Sequence, residues 1–274
     1  MPDAATSFSE PTPYDRRRAN TRNSDASVTP GRINVPSGGA VRYGDDPPQF
    51  AILSLPSGRG PFPVIVFIHG GFWRNAYDLT LAEPQAADAV ARGFAAWNIE
   101  YRRLGDPGGG YPGTFDDVSA AVDLLAELDA PLDLGRVVVV GHSAGGHLAL
   151  WIGQRRNPDV IPKLVVGQAP VADFEATADL SGGAVVEFMG GTSEERPDAY
   201  AVADPLHLLP AKVPQLIVHG DSDVNVPVES VDAYVAAAGD GLVFRKFIAT
   251  DHFDVIDPSH DSWQFVLSTI EESQ

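Results

Sequence analysis

The amino-acid sequence predicts an α/β fold: a mostly parallel sheet with helices on both faces. Three observations carry this. Short continuous apolar runs such as Val64-Ile65-Val66-Phe67-Ile68 and Val137-Val138-Val139-Val140 read as strands buried on both faces. Segments with helical spacing lie between such runs, and that alternation indicates parallel strands joined by crossover helices. Glycine-rich or polar loops follow several of the strands, at the edge where parallel sheets place their chemistry.

In chain order, Phe50 to Leu55 reads as a strand, and so does Val64 to Ile68. Ala86 to Arg92 is helical and stops at Gly93, a residue that ends helices readily. Phe94 to Ile99 is another buried strand. Thr114 opens a helix, with Asp117 in a capping-box-like position. Phe115, Val118, Val122 and Leu125 follow at helical spacing. Val137 to Val140 is a strand, residues 144–154 a helix, and Leu164 to Val166 a strand. Leu216 to Val218, Val228 to Ala238, Leu242 to Ile248 and Trp263 to Ile270 read as strand, helix, strand and helix. The stretch from Asp173 to Leu209 interrupts the alternation with SGG, MGG and two prolines, and such an insertion predicts a lid or pocket wall. Residues 1–39 read as an irregular N-terminal arm and 40–274 as the domain.

The length of 274 residues suits one large α/β domain or two small ones. Net charge is −18, which disfavours a nucleic-acid partner, because such proteins carry a basic footprint. The acidity is uneven. Residues 1–42 hold six arginines against four acids, and the rest of the chain holds 13 basic and 33 acidic groups. The excess reads either as a solubilising surface or as adaptation to high salt, which screens repulsion. With no cysteine, disulfides, thiolate metal sites and a cysteine nucleophile are all excluded. The N-terminus lacks the apolar stretch of a signal peptide, and no window is apolar enough to span a membrane. A soluble cytoplasmic protein with no membrane partner is therefore expected, and a homodimer is compatible with these features.

Gly141-His142-Ser143-Ala144-Gly145 matches G-x-S-x-G. The motif alone is weak, but here a buried strand runs into it and a helix leaves it, as the chemistry requires. The turn is so tight that its flanks must be nearly free of side chains. The serine then projects over the sheet edge, and the helix N-terminus offers N–H groups to a developing oxyanion. The competing reading is a glycine-rich turn with a serine N-cap. His69-Gly70-Gly71-Phe72-Trp73 follows another buried strand. The oxyanion hole would combine the N–H of Gly71 or Phe72 with that of Ala144. His69 reads as a structural hydrogen-bonding residue, and Trp73 as core or as pocket floor.

A serine nucleophile needs a base and an orienting acid, which in this arrangement follow it in chain order. Of the later histidines, His147 reads as structural and His207 sits in the insertion. His219 ends a strand, in His219-Gly220-Asp221-Ser222-Asp223, and His252 follows the last strand, in Asp251-His252-Phe253-Asp254. His252 is assigned as the base and Asp223 as the acid. Asp221 is the competitor, and it reads better as a stabiliser of its own turn. An Asp-x-Asp pair can also hint at a metal, but no other ligand cluster supports one. Asp251 and Asp254 either tune the base or solvate its loop.

Taken together, these four motifs resemble those of the α/β-hydrolase superfamily, over roughly residues 60–270. They are most similar to the carboxylesterase-like branch that includes kynurenine formamidase. Tyr101-Arg102, Tyr111-Pro112 and Asp116 also resemble a segment of that branch. The resemblance implies an eight-stranded sheet and a serine hydrolase without cofactor or metal. The implied substrates are small esters or activated amides such as aryl formamides. Phe72, Trp73, His142 and Phe188 are the expected pocket residues. Arg102 and Arg103 are the evident candidates for a patch that would draw an anionic substrate against the acidic field.

Overall fold

The computed structural model of the protein describes residues 33–34 and 37–273. A short parallel ladder joins β1 (Ile33–Asn34) to β6 (Leu128–Asp129), apart from the main sheet. That sheet has eight strands: β2 (Gly39–Arg42), β3 (Phe50–Ser54), β4 (Phe62–Ile68), β5 (Ala95–Ile99), β7 (Leu132–His142), β8 (Leu164–Gln168), β9 (Gln215–Gly220) and β10 (Leu242–Phe247). Their spatial order is β10-β9-β8-β7-β4-β5-β3-β2. The six strands from β10 to β5 are parallel, while β3 and β2 add two antiparallel pairings at one edge. The expected mostly parallel eight-stranded architecture is the one observed.

Seven α-helices accompany the sheet among the described residues: α1 (Glu83–Ala91), α2 (Gly113–Asp123), α3 (Ala144–Ile152), α4 (Ala184–Met189), α5 (Pro197–Ala203), α6 (Asp232–Ala238) and α7 (Asp261–Glu272). Successive strand residues point to opposite faces, and this splits the core in two. Val64, Val66, Ile68, Val137 and Val139 pack with residues of α2, α3 and α6, including Val118, Leu148 and Tyr234. Ile65, Phe67, Val138 and Val140 pack with α1 and α7, through Ala86, Ala89, Trp263 and Val266.

Some boundaries differ from the sequence reading. The helix expected from Thr114 starts at Gly113 with Pro112 as its cap residue. The Thr114 hydroxyl instead accepts from Gly110 N–H and donates to the Arg102 carbonyl. Asp117 is drawn away from any capping role by Arg102. Val228–Val231 is a tight turn, and α6 begins only at Asp232. Strand β7 extends well before Val137, through a polar segment. The 173–209 insertion holds α4 and α5 between β8 and β9. Of the arm expected over 1–39, residues 1–32 and 35–36 lie outside the described residues, and its final residue, Gly39, opens β2. Among the described residues, no helix is long and apolar enough to cross a membrane.

Candidate active site

Ser143 sits in the turn between β7 and α3, with φ 56° and ψ −120°. A non-glycine residue in that region carries strain of about 1–3 kcal/mol, so its surroundings must enforce the conformation. They do so by close backbone approach. A Cβ on Gly141 would lie 2.0 Å from the Gly145 carbonyl oxygen, and one on Gly145 would lie 2.1 Å from that of Ile68. Only glycine lets these chain segments touch. The Ser143 N–H donates to the Gln168 carbonyl at 2.8 Å, which ties the turn to the end of β8.

Strands β9 and β10 end on the same edge of the parallel sheet as β7, and their loops carry Asp223 and His252. His252 Nδ1 donates to Asp223 Oδ2 at 2.6 Å. The ring is therefore held in the tautomer that leaves Nε2 free to accept a proton. Asp223 Oδ1 accepts from the N–H groups of Asn225 and Val226. Burial pushes the Asp223 carboxyl up. The hydrogen bonds from His219, His252 and Val226, with the His252 charge, outweigh that and hold it well below the usual carboxylate range. Asp221 turns elsewhere and accepts from Ala249 N–H at 2.7 Å. Asp251 and Asp254 fold the histidine loop through backbone N–H groups.

The loop after β4 places Gly71, Phe72 and Trp73 consecutively at positive φ. His69 beneath it is structural, as expected. Its Nδ1 lies 2.8 Å from the Gly70 carbonyl oxygen and its Nε2 3.0 Å from Glu100 Oε1. The buried Glu100 also accepts from the backbone of Leu79 and Tyr101 and pairs with Arg103 at 3.0 Å. Tyr101 stacks on His69 and donates to its carbonyl. One buried carboxylate thus organises the whole base of the loop.

Three pocket assignments need correction. His142 shares the face of Val138 and Val140, by the strand's period of two. It lies beneath the histidine loop and donates from Nε2 to the His252 carbonyl at 2.9 Å. It braces that loop from the buried side instead of facing a substrate. Trp73 and Phe188 are fully buried and stack on each other at 4.4 Å, with His147, Phe174 and Phe115 closing the aromatic cluster. Of the two roles considered for Trp73, the structure gives it the core one. Neither arginine of the expected anion patch is available. Arg102 pairs with Asp117 and Asp46, and Arg103 with Glu100 and Asp106.

The sequence reading missed two supports. Glu100 follows an apolar strand, where a single acid is the signal. His219 Nε2 lies 3.4 Å from Asp223 Oδ2 and 2.8 Å from the Val226 carbonyl. It also passed over three exposed apolar residues: Tyr77, which packs against Gly71, and Val224 and Phe253, the sequence neighbours of Asp223 and His252.

Comparison with known proteins adds an independent view. Residues 52–236 match the family model described as BD-FAE. Esterase LipC of Mycobacterium tuberculosis is 27% identical over 245 residues, covering 79% of this chain; the chain spans 60% of that protein's length. Kynurenine formamidase avaC of Aspergillus versicolor is 32% identical over 111 residues, 36% of this chain and 38% of its own. A truncated carbohydrate esterase from gut microbiota superposes with a TM-score of 0.73 at 19% identity, covering 90% of this chain and 98% of the other. That last likeness is one of fold.

Proposed function

The chain belongs to the BD-FAE family and has the α/β-hydrolase fold; from this premise we propose that it is a serine hydrolase of small, neutral carboxylic esters. The observation that carries the reading is the Asp223–His252 hydrogen bond of 2.6 Å, on the sheet edge that also bears the strained Ser143. His252 Nε2 takes the Ser143 proton as its oxygen attacks the carbonyl carbon, and Asp223 holds the imidazole in place. The N–H groups of Ala144 and of Gly71 or Phe72 receive the oxyanion, each worth about 10²–10³ in rate. His252 then returns the proton to the leaving group and activates the water that releases the acid.

Two features support a neutral substrate. Arg102 and Arg103 are each committed to two carboxylates, so neither opposes the acidic field. Tyr77, beside Gly71, and Val224 and Phe253, next in sequence to Asp223 and His252, expose apolar surface, suited to an apolar acyl or alcohol group. The esterase LipC match favours the ester reading. The avaC match and the shared motifs favour aryl formamides as a second substrate class. Cytoplasmic residence belongs to the same reading, and cell fractionation tests it.

A fluorophosphonate probe should label the wild-type protein at Ser143. Ser143→Ala should lose both the label and p-nitrophenyl acetate hydrolysis while keeping its circular dichroism. An active Ser143→Ala variant sinks the mechanism. Parallel assays with N-formylkynurenine decide the second class, since negligible turnover there defeats it.

A further inference from the structure

His142, Gln168 and Gln85 are buried polar residues that the chemistry above leaves unused. His142 Nε2 donates to the His252 carbonyl at 2.9 Å, and Gln168 Nε2 donates to the Val255 carbonyl at 2.6 Å. Two side chains from the ends of β7 and β8 thus pin the loop that carries the base. Each keeps a second polar atom, His142 Nδ1 and Gln168 Oε1, buried and without a partner among the described residues. Gln85 on α1 leaves its Nε2 in the same condition. All three residues line one cavity of about 10 Å³, together with Gly70 and Ile256.

The three atoms are complementary to a single kind of ligand. The proton of His142 sits on Nε2, facing a carbonyl, and burial pushes the ring's pKa down to about 3. The ring is neutral and Nδ1 is an acceptor. The Val255 contact fixes the Gln168 amide with Oε1 as an acceptor. Gln85 Nε2 is a donor. Two acceptors and one donor match a molecule with two hydrogens and a lone pair, and a metal cation could not accept from Gln85. A buried water makes about three hydrogen bonds and needs roughly 10–15 Å³. A Cβ on Gly70 would lie 3.0 Å from His142 Nδ1, so glycine at that position keeps the acceptor open.

We propose that this cavity is the binding site of one structural water, which donates to His142 Nδ1 and Gln168 Oε1, accepts from Gln85 Nε2, and thereby fixes the loop that presents His252. His142, Gln168 and Gln85 are then positioning residues. Only the kinetic consequence rests on the serine-hydrolase reading.

A high-resolution crystal structure of the full chain should show a water within hydrogen-bond distance of all three atoms. Gln85→Leu should lose it and lower kcat for p-nitrophenyl acetate about tenfold, as small misplacements of a base do, with KM moved less than twofold and Ser143 still labelled. A cavity free of density in the wild type overturns the proposal, and so does wild-type kcat in Gln85→Leu. Should Gln85→Leu not fold, the wild-type density decides. An unlabelled wild-type Ser143 would count against the hydrolase reading, and the density would then decide the water site by itself.

Discussion

Asp223 shows how one carboxylate serves both the fold and the proposed chemistry. Its Oδ1 closes a local turn through Asn225 and Val226 while Oδ2 meets His252. Asp223→Asn keeps the shape but lets the imidazole adopt the wrong tautomer, so kcat should fall about 10⁴-fold. The same residue sets an acid limit. A carboxyl held below its ordinary value of 3.8 binds its proton more weakly in the folded chain than in the unfolded one. Its stabilisation is therefore complete above about pH 4 and is lost as pH falls below that. Urea midpoints should drop further between about pH 5 and pH 3 in the wild type than in Asp223→Asn. Equal drops would contradict the assignment. Ser143, Asp223 and His252 were all legible because each follows an apolar run in a recognisable loop. Glu100, His219, Gln85 and Gln168 were not, because a single polar residue in or near a buried element has no local pattern. Their partners lie far off in sequence, as Gln168 and Val255 do.

At the scale of elements, the turn between β7 and α3 is the least tolerant part of the molecule. Gly145→Ala places a methyl 2.1 Å from one backbone oxygen and 2.4 Å from another, with no side chain that could yield. The expected loss is about 3 kcal/mol or more, read from urea denaturation. A loss under about 1 kcal/mol would mean that β4 and α3 can separate. The central strands were readable because both faces are buried. Strand β2 was not, being short and half exposed at an edge. The start of β7 hid in the polar run Leu132–Arg136, which pairs with Phe62 and Pro63 ahead of a register shift. Thr114 misled for a tertiary reason: its hydroxyl is used by Gly110 and Arg102, so the helix begins without it.

For the whole molecule, charge is the dominant global property. The chain carries −18, and Arg102, Arg103 and Arg155 are spent on buried or half-buried pairs. Surface repulsion is left weakly opposed. Salt shortens the screening length from about 10 Å at 0.1 M to about 3 Å at 1 M. Tm should therefore rise by several degrees between about 0.05 M and 1 M NaCl. A flat or falling Tm would show that the acids are spaced widely enough not to interact.

The order of the strands also has a consequence for refolding. The proposed base hangs from β10, the last strand in the described chain and the outermost in the sheet, held by β9 alone. Strand β10 has no fully buried side chain, so the core around β4 and β7 can assemble before that strand docks. Returning turnover is thus a clock for the docking of the C-terminal edge, and it runs behind any signal that reports collapse of the centre.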